Sequence, residues 1–222
     1  MSTQKLPKQD VPKQDVKWTK GDFELVSRDG VKFVVHTYHL QSASRVFRDM
    51  IEAGSGAKRI QLDESAKTIR HFLKLATEGS SWFDTDSSEA ADYAQVVDLV
   101  HFLTKYECEA AIGHLKQCVV AFPVDKITHH ATLRMLAGMH LAMPAACAAI
   151  LRAHPDLFKG LCHVYPDSRN IPDMMPLDVF QLIPLKYLWA IVAAYRHGTG
   201  TASVSSRGTC LDLGERFLHY MK

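Results

Sequence analysis

The sequence predicts an α/β chain that is mostly α: a small sheet built on a hairpin and flanked by helices, followed by an all-α C-terminal region. Three observations carry this. Phe23 and Leu25 alternate with Glu24, and Val31, Phe33 and Val35 recur at the period of a half-buried strand, on either side of Asp29-Gly30, a pair favoured in two-residue hairpin loops. Beyond Val35 the period lengthens, with Phe47, Met50 and Ile51 at i, i+3 and i+4, one stripe of a helix. After Phe122-Pro123 no strand pattern recurs.

In chain order, residues 1–20 contain a tandem repeat, Pro7-Lys8-Gln9-Asp10-Val11 and Pro12-Lys13-Gln14-Asp15-Val16. So polar a segment cannot offset its own ordering entropy, and a flexible tail is expected. The alternative is a conditional strand using Val16 and Trp18. The hairpin follows, and Ser44 stands where it can accept an orphan amide at a helix start. Ala53 to Lys58 holds glycines and a lysine but lacks the spacing of a phosphate loop, so an exposed turn is expected. Ile60 and Leu62 alternate as a third strand, Asp63 is a candidate N-cap, and Ile69, Phe72, Leu73 and Ala76 describe one helix face ending at Gly79. Residues 80–92 are rich in Ser and Asp and read as a loop. Two helices close the first domain, one with Val96, Leu99, Val100 and Leu103 on a face, the other with Ala111, Leu115, Cys118, Val119 and Phe122. Phe122-Pro123 is the expected boundary, because a residue before proline is pushed out of helical geometry.

In residues 123–222 the helical stripes are Ile127, Ala131, Met135, Leu136 and Met139, then Met143, Cys147, Ile150 and Leu151, then Leu188, Ile191, Val192 and Tyr195 after Pro184. Gly198 to Thr209 reads as a Gly/Ser/Thr-rich connection. A final amphipathic helix carries Leu213, Phe217, Tyr220 and Met221, and must dock because alone it is marginal in water.

The 222 residues with 47% hydrophobic content suffice for one large or two small domains, and 26 basic against 24 acidic residues leave no nucleic-acid footprint. Five cysteines at irregular spacing argue against a disulfide framework. Leu182 to Tyr195, interrupted by Pro184 and Lys186, is too short to span a bilayer, so no membrane partner is expected and the expected compartment is cytoplasm or nucleus.

Residues 21–122 resemble the BTB/POZ domain. The family's pattern of His, three residues, Leu, three residues, Ser, two residues, Phe is met by His36, Leu40, Ser44 and Phe47. Later landmarks recur in order at Arg59-Ile60-Gln61-Leu62-Asp63, at Glu78-Gly79, where the family's aromatic is replaced by Thr77, and at Leu115 with Cys118. The resemblance implies a non-enzymatic protein-interaction module, a homodimer formed through a helix containing Leu40, Ser44, Phe47 and Met50, and a helical extension presented to client proteins. It also implies an adaptor for a cullin ubiquitin ligase, with Trp82-Phe83-Asp84 loosely similar to the apolar-x-acidic contact, Trp82 and Asp84 being its candidates. A transcriptional co-regulator or scaffold is the alternative within the same class.

The competing class is a metal protein or enzyme using the twelve histidines and the cysteines. His114 and Cys118 at i, i+4 with Cys108 could meet a soft ion, but Cys118 lies on an apolar face where a buried thiol is the ordinary outcome. In the helical half the candidates are His129, His140, Cys147 and Cys162, which must converge on one pocket to matter. No nucleophile elbow occurs. No cofactor, metal or catalytic residue is therefore assigned, and His36 is read as a structural residue at a strand-to-helix junction.

Overall fold

The computed structural model describes residues 12–54, 56, 58–78, 93–121, 128–158, 177–196 and 212–222. It is mostly helical with one four-stranded mixed sheet, as the alternating and helical periods predicted. Two compact units divide the chain: residues 1–82 with Phe102–Ile112, and residues 83–101 with 113–222. The division falls within two helices, whereas Phe122-Pro123 lies outside the described residues.

In the first unit the strands are β1 (Lys13–Thr19), β2 (Phe23–Val26), β3 (Val31–Val35) and β4 (Arg59–Gln61), in the order β1-β3-β2-β4. β2 and β3 pair antiparallel with Phe23 opposite Val35 and Leu25 opposite Phe33, while β1 lies parallel to β3 and β4 parallel to β2. Phe23, Leu25, Phe33 and Val35 are all buried, as the alternation required. The hairpin loop has three residues and not two. The Ser27 amide donates to Val31 O at 2.9 Å and the Gly30 amide to Ser27 O at 3.0 Å, with Gly30 at φ +75°. This is a turn closed by a residue in the left-handed region, which glycine adopts without steric cost.

The strand β1 corrects the expectation of a flexible tail over residues 13–19. Its inward residue is a carboxylate: Asp15 is buried and accepts from Arg70 Nη2 at 2.6 Å and Nε at 3.0 Å, while Gln14 Nε2 donates to Trp18 O at 2.8 Å. Lys17 pairs with Glu78. The conditional strand named as the alternative is thus the one formed, and Val16, one of its two named residues, is 92% exposed. Apolar periodicity cannot see a strand held by an ion pair and backbone pairing.

After β3 the chain forms two helices, α1 (Thr37–Ala43) and α2 (Arg45–Ala53), broken at Ser44, whose φ of −146° and ψ of 130° are extended. The expected single helix through Leu40, Ser44, Phe47 and Met50 is thus a corner. Ser44 Oγ accepts the Phe47 amide at 3.0 Å, the predicted cap. α3 (Ala66–Glu78) buries Ile69, Phe72 and Leu73. Its cap is Ser65, whose Oγ accepts the Thr68 amide at 3.2 Å, and not Asp63, which is exposed three residues before the first helical turn. The carboxylate at that helix start comes from the hairpin, with Asp29 Oδ1 accepting the Ala66 amide at 2.8 Å.

Two helices, α4 (Tyr93–Lys105) and α5 (Glu109–Ala121), contribute residues to both units. In the second unit they are joined by α6 (Thr128–His140), α7 (Pro144–Ala153), α8 (Leu177–Gln181), α9 (Leu185–Arg196) and α10 (Leu213–Met221). The stripe on α6 was read as one-sided, yet residues 131–139 are all buried. Burial there includes Arg134, whose Nε and Nη2 both donate to Val119 O, at 3.1 and 2.6 Å. α10 docks against α7 and α9 with Leu213 and Phe217 buried, the fate expected of a short amphipathic helix.

Candidate protein-interaction site

The organising segment, residues 36–51, separates into an inner and an outer set. Leu40 and Phe47 have no exposed surface, and Ser44 is buried. Phe47 lies face to face with Tyr106, 4.7 Å between centroids and 4° between planes, and 5.7 Å from Phe72. The Ser44 hydroxyl donates to Tyr106 O while its oxygen caps α2. One serine therefore ties the corner to the end of α4, and these three residues face the core of their own unit. They are unavailable to a second chain.

The outer set is His36, Tyr38, His39 and the half-buried Met50. Tyr38 is 60% exposed, with its ring 5.5 Å from His36 and 4.0 Å from His39. His36 caps α1 only through its backbone, as its side chain makes no capping bond. The missing acceptor is supplied by Asp22, whose Oδ1 takes the Thr37 amide at 2.7 Å and lies 3.9 Å from His36 Nδ1. That amide, more than the adjacent imidazole, holds the Asp22 carboxyl below its usual range.

Behind Phe47, Tyr106 Oη donates to Glu64 Oε2 at 3.0 Å, and Lys105 Nζ reaches Glu64 Oε1 at 2.7 Å. Burial, then the charge of Glu64, push the Tyr106 phenol up to about 12, so it stays a donor. Asp15, Asp22 and Glu64 were not singled out from sequence, and Asp29 was named for the hairpin turn alone and not for its bond to α3. Only a general preference of Asp for turns and helix starts marks them there.

The His and Cys candidates distribute differently. His114 Nε2 and Cys118 Sγ do meet, at 3.5 Å. His140 Nε2 lies 2.8 Å from Leu182 O with its ring 5.1 Å from that of His101, whereas the fully buried Cys147 points its thiol at Met135 O, 3.9 Å away. Burial raises the Cys108 and Cys147 thiols to about 12. Among the described residues no three His, Cys, Asp or Glu side chains are grouped to hold a metal ion. The His129 side chain, Cys162, Trp82 and Asp84 lie outside the described residues. Among those described, no helix is long and apolar enough to cross a membrane.

The chain matches no family model, no curated protein and no solved structure.

Proposed function

We propose that this chain is a non-enzymatic protein-interaction module of BTB/POZ type that self-associates through the outer surface of α1 and α2 and presents its helical unit to client proteins. The observation that carries the reading is the division of residues 36–51. Leu40, Ser44 and Phe47, at the family's spacing, are consumed by the corner and the aromatic core, while Tyr38, flanked by His36 and His39, remains outward on a short helix. An exposed aromatic on a rigidly braced helix suits an interface anchor, since Tyr combines large contact area with few rotatable bonds. The order hairpin, helical corner, strand, helix in the first unit supports the same assignment.

Light scattering of the full chain at tens of micromolar tests self-association. A dimer that Tyr38→Asp converts to a monomer, with unchanged circular dichroism, is the expected result; a monomer at all concentrations ends the proposal. Binding to the N-terminal region of a cullin separates a ligase adaptor from a scaffold or co-regulator.

A further inference from the structure

On α5, His114 and Cys118 stand at i and i+4, one turn apart on the same face. Their donor atoms meet, with His114 Nε2 3.5 Å from Cys118 Sγ. A thiolate at about 2.3 Å and an imidazole nitrogen at about 2.0–2.1 Å from one tetrahedral ion lie about 3.5 Å apart, so the pair already has the bite of a chelate. Both side chains are half-buried, which holds them partly in place and leaves them reachable from solvent. The other described thiols differ. Cys108 and Cys147 have no exposed surface, are directed at the Tyr106 and Met135 carbonyls, and are pushed by burial up to about 12, so they keep their protons.

The pair is half of a four-coordinate site. Cys108, the third ligand considered from the sequence, is spent on Tyr106 O, and among the described residues no third His, Cys, Asp or Glu is grouped with the two. Two further ligands must come from outside the chain. A second copy carries the same two, and a two-fold contact is self-complementary, so two cysteines and two histidines close around one ion between two chains. Two thiolates and two neutral imidazoles cancel the charge of a divalent ion, which lets the centre lie between two helices without an uncompensated charge. The face of α5 that carries the pair is open to such a neighbour. Gln117 and Ala121 are exposed there, and a Cβ added at Gly113 meets nothing within 4 Å among the described residues. With glycine and alanine beside the ligands, a second helix can approach closely.

We propose that a thiophilic divalent ion of the zinc type bridges two copies of this chain through His114 Nε2 and Cys118 Sγ of each. On binding, each Cys118 thiol gives its proton to solvent and a sulfur electron pair to the ion, so two protons leave for each ion bound. The contact uses α5 and is independent of self-association through α1 and α2, whose test reads Tyr38.

The test uses the full chain without a histidine tag, both as the parent and as Tyr38→Asp, so that neither association masks the other. Cobalt(II) is the probe, because a tetrahedral centre with thiolate ligands shows intense visible bands and a thiolate-to-metal charge-transfer band. The expected result is one cobalt ion per two chains with that spectrum, displacement by zinc, and an ion-dependent rise in mass by light scattering that EDTA reverses in both forms. His114→Gln and Cys118→Ser, each checked for unchanged circular dichroism, should weaken ion binding about tenfold or more and abolish the rise in mass. Three results overturn the proposal: no ion bound at micromolar concentration, one ion per chain with no change in mass, which leaves the remaining positions to water, or binding that survives both substitutions, which places the ion on other residues.

Discussion

Phe47 shows what a single side chain decides in the first unit. It is fully buried among Phe72, Phe102 and Tyr106, and its own amide is held by Ser44. Phe47→Ala removes a ring from a stacked cluster that cannot close over the void, and is expected to cost about 3–5 kcal/mol in urea or guanidinium titrations. Ser44→Ala should cost about 1–2 kcal/mol, because it removes the α2 cap and leaves the Tyr106 carbonyl only the weak Cys108 thiol at 3.8 Å. The spacing of His36, Leu40, Ser44 and Phe47 was visible in the sequence, but periodicity could not divide those residues into inward and outward sets. That division needed the break at Ser44, which reorients the chain between α1 and α2.

At the scale of elements, two contacts carry unequal amounts of sequence signal. α10 was legible from Leu213, Phe217, Tyr220 and Met221, yet its seat depends on Gly214, where an added Cβ meets Ala148 O at 2.6 Å and Arg152 Cγ at 2.8 Å. Since one of those atoms is backbone, Gly214→Ala should separate α10 from α7 and cost about 1–3 kcal/mol, read as a lowered midpoint and faster exchange in residues 213–221. β1 was legible only as the alternative to a flexible tail, because its anchor is Asp15. Burial alone raises that carboxyl, but the bonds from Arg70 and from the Lys17 and Trp18 amides outweigh it, so the folded-state pKa lies below the ordinary carboxylate value. A depressed carboxylate stabilises fully above its unfolded pKa of about 4 and stops doing so as pH falls through the folded value. Asp15→Asn should therefore lower stability at pH 7, and most of the difference from the parent should vanish in strong acid. Limited proteolysis at Lys17 or Lys20 should accelerate in the same variant.

For the whole molecule, histidines in both units make acid the direction of instability. Burial first, and then the positive charges of Lys74, Lys67 and Arg70, depress His71 to about 4, and burial depresses His140 despite its bond to Leu182 O. An unfolded chain binds these protons near pH 6.5 while the folded chain resists them. Stability contributed by neutral His71 is thus complete above about pH 6.5 and is lost progressively as pH falls toward about 4. Chemical denaturation from pH 8 to pH 4 should show this decline, and His71→Gln should flatten it within that window. Parallel curves for parent and variant count against a neutral His71 in the fold.

Periodicity by itself determined the fold class, the β2–β3 hairpin, the identity of most buried apolar residues and the helical character of the described elements after α5, because these follow from which side chains leave water. Tertiary structure alone decided what closes the fold. Asp22 accepts the first amide of α1, Asp29 accepts that of α3, and Asp15 pins β1 to Arg70, each reaching a partner far away in sequence. A carboxylate makes no periodic pattern, and its worth depends on a donor that only folding brings near.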